Sequence, residues 1–378
     1  SYEIAKKLTA GISFGMDYTQ ITSKDTQSPN SVYGQSAVAS GDAEYQGSHF
    51  ESFYRDVRLN NIVSLNYNNV FDEAHSLDLS AYMEYSKSFS NSFALQQIGL
   101  NDKLYGNGAA FIPGDTYEDL NEDGVVDGAA EFPYIPSISS GEVAVGMFSY
   151  FGVLKYDYKE RYGLQSSLRR DASSRFSNSN KWGTFYSVSA RWNIHNESFM
   201  EGNTFFNKLK LRASYGTSGN DRITGGYYGG TTNTYDLYGQ GTGYNATVAY
   251  YASSIANKDL KWEMSDQLNI GVDFTILKGK LSGSVDVYDK NTEDLFQSFP
   301  ISSINGTNAI QANIGSMNNQ GAELSLNWKA YSSKDFSVSI FANGSYNKNK
   351  VTSLPKGENV DNGGRTILAE DRAIGSFF

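Results

Sequence analysis

Residues 209–221 read LKLRASYGTSGND, and along the first half apolar and polar positions strictly alternate: Leu209, Leu211, Ala213 and Tyr215 against Lys210, Arg212 and Ser214. Period-2 alternation predicts a strand with one apolar and one wet face. Eleven such segments can be read, at about residues 4–19, 49–70, 75–90, 142–157, 161–172, 182–194, 207–217, 262–277, 280–296, 320–331 and 335–349. Most exceed ten residues, whereas strands of soluble sheets usually run about five or six. Nothing between them carries a helical period.

In QLNIGVDFTIL, Leu268, Ile270, Val272, Phe274 and Ile276 share one side, and Asn269, Gly271, Asp273 and Thr275 the other. GAELSLNWKAY and DFSVSIFANGSYN divide in the same way, with Phe341 breaking the rule in the second. The polar sides carry small, hydrogen-bonding residues, as a wet lumen would. Aromatics gather near strand ends (Tyr156, Tyr158, Trp182, Tyr186, Trp262, Tyr331), where interfacial girdles sit in membrane barrels.

The connections alternate too. FDEAH, YDYKERYG, ILKGKLS and YSSKDFS are short, and HNESFMEGNTFFN is intermediate. Residues 91–141, 218–261, 297–319 and 350–378 are long, while SRFSNSNKWG is shorter than those. Short turns at one end and long loops at the other are the asymmetry of outer-membrane barrels, with periplasmic turns opposed to extracellular loops. The competing expectation is an elongated soluble β-protein with one exposed face.

Composition sharpens this picture. Mean hydropathy is −0.46, and no apolar run approaches the roughly 20 residues of a membrane helix. A transmembrane β-barrel stays open, because alternating strands never form such a run. Zero Cys removes disulfides and thiolate metal sites. A net charge of −10 without a basic stripe argues against a nucleic-acid partner. SYEIAKKLTAG reads as strand and not as an export signal, and AIGSFF stops without a closing element, so both termini read as cuts.

Several stretches resemble one family. RYGLQSSLRRDASSRF is followed by WGTFYSVSARWNIHNESFM and FFNKLKLRASYGTSGND. NKDLKWEMSDQLNIGVDFTILKGKLSGSVDVYDKNTEDL, NIGSMNNQGAELSLNW, YNKNKVTSL and AIGSFF come after. In order and spacing these are similar to the SusC/RagA group of TonB-linked outer-membrane transporters of Bacteroidota, across roughly residues 150–378. The resemblance implies an antiparallel 22-stranded barrel, of which about 11 strands are present. It also implies an N-terminal plug and TonB-contact segment that nothing here matches, and a SusD-like surface lipoprotein as lid. The implied cargo is an oligosaccharide or, in some members, a peptide. A half-barrel would leave two unpaired edges in lipid, so the expectation is a barrel-wall portion of a nutrient transporter. The alternative is a non-transporting adhesin or binding module.

Two loops hold candidate chemistry. In DTYEDLNEDGVVDGAAEF, Asp119, Asn121, Asp123 and Asp127 fall at positions 1, 3, 5 and 9 of an EF-hand-like loop. Gly124 stands at the sharp turn, and the Val125 carbonyl serves position 7. Hard oxygen ligands at this spacing suit a structural Ca²⁺, although Ala130 replaces the bidentate Glu and Glu131 comes one residue late; the bland reading is a solvated acidic turn. Residues 223–251 form a Gly/Tyr/Thr-rich stretch whose rings could stack on sugars or meet a lid, or simply belong to a Tyr-rich loop. An enzyme is not expected. His49, His75 and His195 are dispersed, and His49 with Asp42 and Glu44 makes only a coincidental grouping.

Overall fold

A computed structural model describes residues 2–36, 46–100, 103, 137–223, 227–355, 360–361 and 366–377. Its principal element is a sheet of twelve strands, each paired with the next in chain order. They are β1 (Tyr2–Ala5), β2 (Leu8–Gln27), β3 (Ser48–Phe71), β4 (His75–Ile98), β5 (Ser137–Tyr158), β6 (Tyr162–Ser173), β7 (Trp182–Asn193), β8 (Phe206–Asn220), β9 (Glu263–Ile276), β10 (Leu281–Glu293), β11 (Ser316–Ser332) and β12 (Ser337–Ser353). No pairing joins β1 to β12 among the described residues. Among the described residues no helix is long and apolar enough to cross a membrane.

The eleven segments read from alternation correspond to β2–β12. The strand β1 was not anticipated: the first segment breaks at Lys6–Lys7 into a hairpin, with Tyr2 opposite Ala10 and Ala5 opposite Leu8. Lys7 takes a left-handed backbone (φ 70°), and its ammonium reaches the Asn69 side chain. Other short turns also carry non-glycine residues at positive φ, notably Asp72–Glu73 and Lys159–Glu160. Two consecutive left-handed residues make the hairpin turn whose twist matches paired strands.

The residues group into two units. The first comprises Ser1–Phe14, Asn60–Ser86 and Val145–Phe378, and the second Gly15–Leu59 and Lys87–Ala144. In the second, His49 is buried and bonds Thr26 through Nδ1 at 2.8 Å, while the Gly99 amide donates to Gly47 O at 2.8 Å.

In the first unit, two adjacent rows across the sheet decide what each face meets. One row runs Leu164, Ala190, Ala213, Ile270, Val287, Ala322, Tyr346. The next runs Gly163, Arg191, Arg212, Gly271, Asp286, Glu323, Ser345. Among the described residues nothing packs over the apolar face as a core: Leu168 is 60% exposed, Ile270 43% and Val287 48%. A contiguous apolar surface of this extent is not kept in water by a soluble monomer. Aromatics bound it at two levels. Phe148, Tyr150 and Trp182 meet near one end of the strands, with ring centroids 5.8–6.4 Å apart, and Tyr158, Tyr162 and Trp192 stack near the other. Trp182 to Trp192 is ten steps along β7, roughly 34 Å of strand, or about 26 Å of height at a tilt near 40°, which matches an apolar band of about 25 Å. The apolar face is lipid-facing.

Trp262 departs from the girdle expectation. It is buried, with Phe176, Phe185, Ile223 and Leu260, in a cluster at the long-loop end of the strands. Its indole Nε1 donates to Lys181 O at 3.0 Å. It precedes β9, so the strand alternation does not fix its side.

Candidate functional site

The polar face is built by strand alternation from charged residues facing across strands. Arg212 on β8 grips Asp273 on β9 with both nitrogens, Nε–Oδ2 at 3.0 Å and Nη2–Oδ1 at 2.8 Å. It also reaches Asp286 on β10 at 3.0 Å. That second contact crosses a whole strand, and Gly271 lies between the two in register. A Cβ at Gly271 would lie 2.2 Å from Asp286 Oδ1 and 2.8 Å from Arg212 Nη2, so the ion pair occupies the space a side chain would fill. Lys210 adds a contact to Asp273 at 3.1 Å, and Arg191 pairs with Asp157. Opposed like charges Arg191 and Arg212 would repel; their separate carboxylates offset this.

A second cluster holds Arg169 between Asp171 (2.7 Å), Glu84 (3.0 Å) and Ser149 Oγ (2.9 Å), with its guanidinium 4.5 Å from the Phe151 ring centre. Around the first cluster lies a polar concavity of about 990 Å³, lined among others by Lys155, Lys208, Asp78 and Asn269. Such a surface can carry water and solvated polar cargo. Each half-exposed ion pair contributes only about 0–1 kcal/mol, so their evident effect is to set the wall's polarity.

At the long-loop end, Arg175 is fully buried. Its Nη1 lies 2.5 Å from Asp221 Oδ2, Nε donates to Gly229 O at 3.2 Å, and Nη2 donates to Tyr227 O. Ser173 Oγ donates to the same Asp221 oxygen at 2.7 Å. Arg175 and Asp221 fall within the family-like stretches SSRF and SGND, but 46 residues separate them and no local pattern pairs them. The described parts of two long loops carry strands of their own. Residues 221–262 contain a hairpin, Leu237–Thr242 with Val248–Ser254, in which Tyr251 packs over Gly239 and Gly241. Residues 294–315 contain another, Phe296–Pro300 with Ala309–Asn313. Asn257 and Asn313 tie the two loops together: Asn257 Nδ2 donates to Gln311 O, and Asn313 bonds the Lys261 amide and carbonyl, at 2.8–2.9 Å. On the first hairpin Tyr238, Tyr244 and Tyr250 stand exposed.

The candidate calcium ligands Asp119, Asn121, Asp123, Val125 and Asp127 lie outside the described residues, as do Asp42 and Glu44. The histidines remain apart. His75 Nδ1 pairs with Tyr156 Oη at 2.7 Å and His195 Nδ1 with Leu209 O at 2.9 Å.

Residues 5–369 match the family model described as TonB dependent receptor-like, beta-barrel. The chain belongs to that family. As a member of the TonB-dependent receptors it is an outer-membrane protein, and its SusC/RagA character is borne out by its relatives. TonB-dependent receptor P39 of Formosa agariphila is 37% identical over 61% of this chain and 22% of that protein. TonB-dependent receptor SusC of Bacteroides thetaiotaomicron is 32% identical over 76% of this chain and 28% of that protein. A solved structure of the RagAB peptide transporter superposes on 99% of this chain and 38% of that one, with TM-score 0.81 and 26% identity. The chain thus spans well under half the length of the relatives it matches.

Proposed function

We propose that this chain forms barrel wall of a TonB-dependent importer that carries a nutrient oligomer, an oligosaccharide, across the bacterial outer membrane. The observation that carries the reading is the pair of adjacent rows: an apolar row toward lipid and a charged row toward a wet interior. The long-loop end would face outside and the short turns the periplasm. The tyrosine-bearing loop hairpin suits contact with sugar faces and with a SusD-like lid, and energy would come through TonB acting on a plug. No residue is asked to make or break a bond. A peptide cargo is the second reading, favoured by the similarity to the RagAB peptide transporter. Ca²⁺ held by Asp119, Asn121, Asp123, Val125 and Asp127 is proposed on sequence alone; terbium luminescence lost in an Asp123→Ala variant would support it.

The test is uptake of fluorescent oligosaccharides and oligopeptides by cells with and without the complete receptor, before and after collapse of the proton gradient. Saturable, energy-dependent entry of the oligosaccharide supports the proposal. Preferential peptide entry supports the second reading. Surface retention without entry would favour an adhesin.

A further inference from the structure

On the lipid face, across β6–β8, a trench of about 450 Å³ is lined mainly by Tyr162, Leu164, Ala190, Trp192, Leu211 and Ala213, with Gly163 and Arg191 of the polar row at its border. Its floor arises from register: Ala190 lies opposite Ala213, so two methyl side chains adjoin between Leu164 and Ile270. Neighbouring rows carry large groups, including Trp192 beside Leu211 and Val188 beside Tyr215. Tyr158, Tyr162 and Trp192 stack successively, with centroids 6.4 Å apart and planes 15–20° from parallel. Trp192 Nε1 is engaged outside the trench, donating to Glu197 Oε1 at 2.9 Å. Tyr162 also bonds that carboxylate. Arg191 is turned to Asp157, so the trench presents an almost wholly apolar lining, and its volume lies within the roughly 300–1,000 Å³ of small-ligand sites.

The adjoining turn supplies charge. Lys159 is exposed with its ammonium 5.4 Å from the Tyr158 ring centre, and Arg161 meets Glu197 at 3.5 Å while staying a third exposed. Residues 159–161 and Glu197 carry two cations and two carboxylates, and the nearby Asp157, which accepts from the Glu160 amide, is paired with Arg191. This balance complements a zwitterionic headgroup better than a polyanionic one.

We propose that this trench seats one acyl chain of a zwitterionic glycerophospholipid, with its phosphate held by Lys159 and Arg161. The choice of lipid rests on the proposed sidedness, which puts the short turns in the phospholipid leaflet. The test is native mass spectrometry of the complete receptor, purified from outer membranes and titrated with phosphatidylethanolamine. One lipid should survive activation that strips the others, and its occupancy should fall about tenfold in the double variant Ala190→Leu, Ala213→Leu and in Lys159→Glu. Val188→Leu, outside the trench, should leave it unchanged. Equal occupancy in wild type and variants, or retention of lipopolysaccharide instead, would overturn the proposal. Labelling of a Glu160→Cys variant on intact cells separates the two claims: labelling from outside sinks the sidedness itself, whatever the lipid result.

Discussion

At the scale of single residues, Gly271 and Arg175 carry more than their types suggest. Gly271→Val would force Arg212 from Asp286 and overpack the polar face. We expect a loss of about 1–3 kcal/mol, read as a lower temperature for conversion of the folded gel band. Arg175→Met leaves Asp221 buried without its cation, which typically costs about 3–5 kcal/mol. Residues 221–262 should then become protease-sensitive while the strands stay resistant. Glu197 adds a pH dependence. Hydrogen bonds from Tyr162 and then Trp192, with the nearby Arg161 charge, hold its carboxyl below the usual carboxylate range, against the opposing effect of burial. A lowered folded-state pKa means stabilisation that is complete above the ordinary carboxylate range and fades as pH falls through the lowered value. Hydrogen exchange at 194–200 should therefore accelerate on acidification, and Glu197→Gln should remove that dependence. None of these roles was legible beforehand. Alternation put Gly271 and Arg212 on the polar face, but which charge reaches over which glycine depends on cross-strand register, set by residues far apart in sequence.

At the scale of elements, the strands were legible because their faces meet different solvents over their whole length, which imposes period 2 without interruption. The misses occurred where this constraint lapses. The β1 hairpin turns on two solvated lysines, and Trp262 lies just outside a strand. The Gly/Tyr stretch read as low complexity is a hairpin whose glycines accommodate the Tyr251 ring, a pairing that composition alone hides. Local turn chemistry is equally indirect. Lys159 and Glu160 both take left-handed conformations (φ 51° and 54°) that favour Asn and Gly. Replacing them with Asn-Gly should stabilise the hairpin of the delipidated receptor by about 0.5–1 kcal/mol, visible as slower unfolding in denaturant, while removing the Lys159 contact proposed for the lipid phosphate.

At the scale of the whole molecule, the division of surfaces is the central claim. Loop asymmetry, the two aromatic levels and the paired apolar and charged rows all follow from a wall between lipid and water. Family membership agrees with it. This chain contains no cysteine, so with any cysteine elsewhere in the complete receptor replaced by serine, single cysteines can be introduced one at a time from 268 to 275, Gly271 excepted, and probed in intact outer membranes. We expect a water-soluble maleimide to label positions 269, 273 and 275, and a lipid-soluble probe to label 268, 270, 272 and 274. Equal aqueous labelling along the strand, or aqueous labelling of 268, 270, 272 and 274, would contradict the account.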